Sequence, residues 1–498
     1  MSFISKKLLL LLAVAAVVPT ALGFSLLGPF MTWQAPALGY QQTNDLGGPM
    51  YLRSYYRWNV TNVTYAFDQS FIDYFGTGGI SNVDDAFRIL NSLPNASALN
   101  IDDYPLNGTL WNPTAEQAGL LDLKSYTLAM LVQYMGLADP ERYVWTLNYR
   151  GAVGQQTNYH VISMNYDPLT LNPTNQVNGV YYTYRISEVN GVADAVEYPV
   201  TATDLVQYSA VAGGHLGAGY FYTGLTRDDV GGIKYLLSTN NLAVEGLLPN
   251  VYRGGPSSSS SYGWIPYFGG TNVLSNTLSA SNFFTSLNAG RTNTTNFYVN
   301  GIRGGVNKVW FTRVEFDNFL GNTFSNVNGT ANSTLTNYYT DYVIVTNKLV
   351  SQPVYRVISR PDIVFYADHL GFVNGVTPDG RPDIEPVLIT RTAPNWINND
   401  ALNGGTIEGG PGVISTGAGT TNSLSITFTS DLGGLYNYSP YYLNEGWSIT
   451  GWRWASFDQT TRPPVIYPTY DQITIDQLLA LVNTFTNYTP VNTGTLPR

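Results

Sequence analysis

Between Ser125 and Met135 the chain reads SYTLAMLVQYM, with no charged side chain on any face. A helix at a protein surface carries apolar residues on one stripe, whereas a helix that is apolar all round has to be enclosed. This segment therefore predicts a helix wrapped by other elements, stopped at Gly136. It requires a domain with enough chain around it to cover every side.

The rest of the composition says what the covering is made of. Only 12% of residues are charged, 44% are hydrophobic, and there are 37 tyrosines. Such chains suit pleated surfaces and long polar loops better than helical bundles, which draw on Lys, Glu and Arg. The 498 residues exceed one ordinary domain, so two or three are expected. A net charge of -10 with no basic stripe excludes nucleic-acid binding through counterion release. Cysteine is absent, which removes disulfides, thiolate metal ligands, a thiol nucleophile and a lipid-anchoring cysteine.

The N-terminus, MSFISKKLLLLLAVAAVVPTALGFS, has two lysines, an apolar run from Leu8 to Val18 and the small-residue site Ala21-Leu22-Gly23. This pattern predicts a secretory signal peptide, 1–23, cleaved near Gly23-Phe24. Residues 24–54 read as an irregular lead-in. A Gly/Ser/Pro stretch, GGPSSSSSYG, marks a linker at 246–263 and predicts the first site of proteolytic cutting. It divides an α+β unit, 55–245, from a mainly β, sandwich-like unit, 264–498, whose short strands alternate with frequent turn signals.

Within the first unit, VTYAF (63–67) reads as a strand. Helices are expected at 69–74 and at 83–93, the second capped by Ser81 or Asn82. LTRDDVGGIKYLL (225–237) reads as a helix capped by Thr226 with Asp228 and Asp229 in its first turn. A last amphipathic helix is expected at 475–485.

Three of these pieces, RWNVTNVTYAFD (57–68), VDDAFRIL (83–90) and LTRDDVGGIKYLL (225–237), resemble the matrixin branch of the metzincin zinc proteases. The resemblance implies a protease-like scaffold over residues 55–238. The family's zinc motif, His-Glu-x-x-His-x-x-Gly-x-x-His, laid on Gly136 falls on Ala129, Met130 and Gln133, with Asp139 at the third ligand position. A methyl, a thioether and an amide replace the two imidazoles and the general base, so the resemblance implies a scaffold that has lost this catalytic site.

Other candidate chemistry reads as structural. His160, His215 and His369 are the only histidines, lie far apart, and are each expected to be a hydrogen-bonded structural side chain. The turn around Asp379, Asp383 and Glu385 lacks the alternating ligands of an EF-hand. Trp447, Trp452 and Trp454 fit core and edge packing better than a sugar-binding face. No G-x-S-x-G elbow or phosphate loop occurs. No catalytic, cofactor-binding or metal residue is assigned from the sequence, and no cofactor is expected. The expectation is a secreted, bacterial-style extracellular structural or binding protein that is not an enzyme. Its partner is an unnamed extracellular one or a second copy of itself, and no transmembrane segment remains after signal cleavage. The alternative is a secreted hydrolase acting on peptide or glycan.

Overall fold

The computed structural model describes residues 22–29, 46–52, 57–153, 156–189, 192–200, 208–245 and 251–253, and then 301–317, 322–327, 330–332, 334–345, 348–359, 361–365, short strands between 389 and 437, and 453–467. It mixes helices with many strands in small sheets of two to five, an α+β composition. Five α-helices are labelled here: α1 (Gln69–Ser92), α2 (Pro113–Gln117), α3 (Leu123–Tyr134), α4 (Pro140–Tyr143) and α5 (Arg227–Leu237).

Helix α3 is enclosed, as its sequence requires. Leu128, Met130, Leu131 and Val132 are fully buried, and Met135, which caps it, is 2% exposed. Asp122 is the N-cap and accepts a hydrogen bond from Ser125 N at 2.9 Å. Gly136 follows with φ of 110°, a conformation that costs a side-chain-bearing residue dearly and ends the helix there.

Three expectations need correction. Where it is described, the lead-in is not irregular: Phe24–Pro29 is a strand pairing with Leu46–Met50, Leu137–Ala138 and Asn165–Tyr166, and Phe24 and Leu26 are buried. Its Gly, Pro and aromatic content hides a strand whose pairing partners are all distant. The two expected helices at 69–74 and 83–93 are present as the two arms of α1, but they meet at a kink at Gly76 (φ 61°, ψ -164°), so the second begins well before 83. Asn82 is therefore inside the helix, and its side chain donates to Gly78 O (2.8 Å) and Tyr467 Oη (3.1 Å) instead of capping.

The third correction concerns the two-unit division. The strand Asn62–Phe67 lies between two parallel neighbours, Trp310–Arg313 and Ile363–Phe365. Parallel strands covered on both faces are apolar throughout, and Val63, Tyr65, Ala66 and Phe67 are all buried. Arg453–Ser456 pairs in parallel with Leu120–Asp122, and Trp454 packs edge-on against Tyr126 of α3 at 5.4 Å. Residues on both sides of 246–263 thus share sheets and one core. A boundary read from composition cannot see pairing across hundreds of residues. Trp454 is fully buried, in keeping with a packing role. The serines of the linker, His369, Trp447, Trp452, the Asp379–Glu385 turn and the 475–485 helix lie outside the described residues.

Buried ion pairs and polar anchors fix this arrangement. Arg57, fully buried, donates to Leu236 O (3.1 Å), Asn241 O (2.7 Å) and Arg303 O (3.0 Å), which ties the end of α5 to the strand Gly301–Arg303. A cation at a helix C-terminus is electrostatically favoured. Arg356 pairs with Asp362, whose carboxylate also accepts from Thr64 N at 2.8 Å.

Two outcomes follow from this packing. Leu131→Ala, which empties a fully buried site in α3, should cost on the order of 2–5 kcal/mol in urea unfolding. A chain carrying a specific protease site inserted between Ser258 and Ser259, once cut, should still elute as one species on size-exclusion chromatography, and separation of the halves without denaturant would contradict the shared core.

Candidate functional site

The site is built where α3, α4 and α5 meet the short 3₁₀ turn Val211–Gly213. Asp229 in the first turn of α5 is 1% exposed. Its carboxylate accepts from Thr226 N (3.0 Å) and Thr226 Oγ1 (2.6 Å) at the helix cap. It also accepts from Val211 N (3.0 Å) and Ala212 N (2.9 Å) in the turn. The residue that the sequence places at the helix dipole therefore also holds the turn. Helix α3 holds it from the other side: Gln133 Nε2 donates to Ala212 O (3.0 Å) and Tyr126 Oη to Leu216 O (2.6 Å). His215 lies between these two anchors.

The second half of the site comes from the chain leaving α3. After Gly136, Leu137–Ala138 joins the Phe24–Pro29 strand and delivers Asp139 as the N-cap of α4, followed by Pro140 at the first helical position. Asp139 Oδ1 accepts from Arg142 N (3.1 Å), and its Oδ2 meets His215 Nε2 at 2.7 Å. Glu141, 7% exposed, accepts from Ala210 N through Oε1 (2.7 Å), while its buried Oε2 receives no hydrogen bond from an N–H or hydroxyl donor and the Asp139 carboxyl lies within hydrogen-bonding reach of the side chain. One ligand atom from each of Asp139, Glu141 and His215 lies within 4.8 Å of the others, the sole such trio among the described residues.

The charges in this cluster are strongly coupled. The Asp139 carboxylate, in contact with the half-exposed His215 ring, raises its imidazolium to about 10. Burial pushes Asp139 up, but the His215 charge and hydrogen bond outweigh it and hold Asp139 below its ordinary value. Burial, and then the Asp139 charge, push Glu141 well above the usual carboxylate range. The two shifts run in opposite directions, as expected of carboxylates at close range, where ionisation of one opposes ionisation of the other. Around it, Arg142 bridges Asp194 (2.7 Å) and Glu197 (3.7 Å). Burial raises the Tyr222 hydroxyl far above its ordinary value, with the Glu141 charge adding to the shift.

Of the positions in the metzincin frame, Ala129 and Met130 are 1% and 0% exposed and packed in the core. Gln133 binds the turn through Ala212, and Asp139 binds the same loop through His215, so these two approach one segment. His160 is exposed on a strand, its Nδ1 3.2 Å from Asn148 Oδ1, and does not join His215. Sequence reasoning singled out Asp139 and His215 separately and missed Glu141. Asp-Pro-Glu reads as an ordinary helix start, and the histidine that meets it is 76 residues away.

A second feature lies at the start of the central parallel strand. A cleft of about 500 Å³ opens between Trp310 and the hairpin strand Leu335–Val345 and is lined by Asn62, Asn95, Asn307, Asn337, Tyr338 and Tyr342 among others. Trp310 is half exposed and Tyr338 is 76% exposed. The indole is fixed by Lys308, whose ammonium sits 3.5 Å from the ring centroid and donates to Asn91 O (2.9 Å) and Leu93 O (2.6 Å). Tyr338 rests against Tyr355 on the neighbouring strand, ring centroids 5.7 Å apart.

Comparison with family models, with curated proteins and with solved structures finds no match to this chain.

Asp229→Ala leaves the Val211 and Ala212 N–H groups without their acceptor. It should lower the unfolding free energy by at least about 1–3 kcal/mol in urea titration. A loss smaller than that of the exposed control Asp102→Ala would show that the turn is held by other contacts.

Proposed function

We propose that this chain is an extracellular binding protein without catalytic activity, and that the Trp310–Tyr338 cleft takes a carbohydrate. One observation carries the reading: two exposed aromatic rings, one of them locked by a cation, flank a cleft rich in asparagine side chains. A pyranose ring presents an apolar C–H face to an aromatic ring and hydroxyls to amide donors and acceptors, and an amphipathic site of this kind matches both. The acidic net charge disfavours a polyanionic ligand. Secretion, inferred from the leader sequence, places such a site where glycans are found. The matrixin-like scaffold enters the proposal as a frame put to a non-proteolytic use. Burial of Ala129 and Met130 supports that, since a catalytic helix has to present these positions to substrate.

The test is native affinity electrophoresis in gels containing xylan, laminarin, dextran or hydroxyethylcellulose. At least one polysaccharide should retard the protein, and Trp310→Ala and Tyr338→Ala should each weaken the retardation about tenfold or more. Unretarded migration in all four gels, or retardation that both variants retain, rules the reading out.

A second reading, a hydrolase, is favoured by two carboxylates, Asp139 and Glu141, held within 4.8 Å of each other in surroundings that push their pKa values in opposite directions, as in an acid–base pair. Release of reducing sugar or peptide that disappears in Glu141→Gln would establish it in place of the first.

A further inference from the structure

We infer that Asp139, Glu141 and His215 form a binding site for a divalent transition-metal cation of the zinc type. The donor set is one imidazole and two carboxylates, which zinc accepts in three-ligand sites that leave a further position open. The three donor atoms lie within 4.8 Å of one another. Ligands about 2.0–2.2 Å from one tetrahedral ion stand roughly 3.3–3.6 Å apart, so an ion entering here opens the 2.7 Å His215–Asp139 contact, releasing the proton it holds, and closes the wider spacings.

Two independent features point to an occupant. Glu141 Oε2 is buried and receives no hydrogen bond from an N–H or hydroxyl donor, whereas the other oxygen of the same carboxylate is fixed by Ala210 N; the group in hydrogen-bonding reach of this carboxylate is that of Asp139, a second acceptor unless a proton or a cation lies between the two. A buried polar atom of this kind is costly unless something else satisfies it. Gly213 supplies the room: a Cβ there would stand 2.7 Å from His215 Cδ2, 2.9 Å from Glu141 Oε2 and 3.2 Å from Asp139 Oδ1. Any other residue at 213 would fill the space on which the three side chains converge.

The surroundings suit a cation as well. Asp194 and Glu197 add two more acidic groups, and Arg142 is engaged with both. Ligand orientation is set from behind: Arg142 N holds Asp139 Oδ1, and the turn that carries His215 is fixed by Asp229 and Gln133. Such outer contacts tune a metal site nearly as strongly as the ligands do. The His215 side chain is 53% exposed, which gives an ion a way in. The inference is independent of the carbohydrate reading, since the cleft and the trio share no residue.

The experiment uses the full chain, stripped with chelator and dialysed, then titrated with zinc chloride by calorimetry and with cobalt chloride by visible absorption. The expected result is one zinc per chain and a cobalt d–d spectrum. His215→Ala and Gly213→Ala should each weaken binding by at least about tenfold, and His160→Ala should leave it unchanged. His215 is half exposed, so its variant is expected to fold, and far-UV circular dichroism together with the polysaccharide gels checks this. Binding below one equivalent at tens of micromolar zinc, or full binding in His215→Ala, overturns the site whatever the gels report.

Discussion

A single buried carboxylate organises the centre of this protein. Asp229 receives four hydrogen bonds, two from its own helix cap and two from the 3₁₀ turn at 211–213. A buried acid is tolerated only when its oxygens are satisfied, and here the satisfying groups belong to two segments that must therefore stay together. The turn in turn fixes His215 beside Asp139, and α3 lies against it. Asp122 works in the same way at the other end of α3. Its carboxylate accepts from Ser125 N and from Phe457 N, 335 residues away, and Arg57 gathers three carbonyls from two segments. In a chain without cysteine, these polar nodes do the cross-linking that disulfides do elsewhere.

What the sequence disclosed was local. The enclosure of α3 followed from its uniform apolarity, and the Thr226–Asp229 cap of α5 from its spelling. The strand at 63–67 was visible in its β-branched and aromatic residues. What stayed hidden was whatever depends on distant partners. Phe24–Pro29 has no alternation to betray a strand, because its burial comes from three separate neighbours. The Gly/Ser/Pro stretch looked like a border, yet strands from beyond it complete the sheet that begins at Asn62. The trio of Asp139, Glu141 and His215 belonged to the same class: each residue has an ordinary local reading, and only the fold brings them into one place.

The position of that trio bears on the metzincin frame. The helix positions where such an enzyme keeps its first ligands and its base are given over to core packing at Ala129 and Met130. The other two positions, Gln133 and Asp139, are polar, and both bind the loop at 212–215. The titratable groups of the region, Asp139, Glu141 and His215, lie beyond the C-terminal end of α3, where solvent can reach His215.

The central parallel sheet also sets a timetable. Thr64 is tied to Asp362, 298 residues further along, and the two strands flanking Asn62–Phe67 both lie beyond residue 300. Contacts of such long range form slowly, because a large loop must close before they repay its entropy. As a ribosome releases this chain, the Asn62–Phe67 strand has no neighbour to pair with until most of the polypeptide has emerged. The sheet around Asn62–Phe67 is completed only when the strands at 310–313 and 363–365 are available to it.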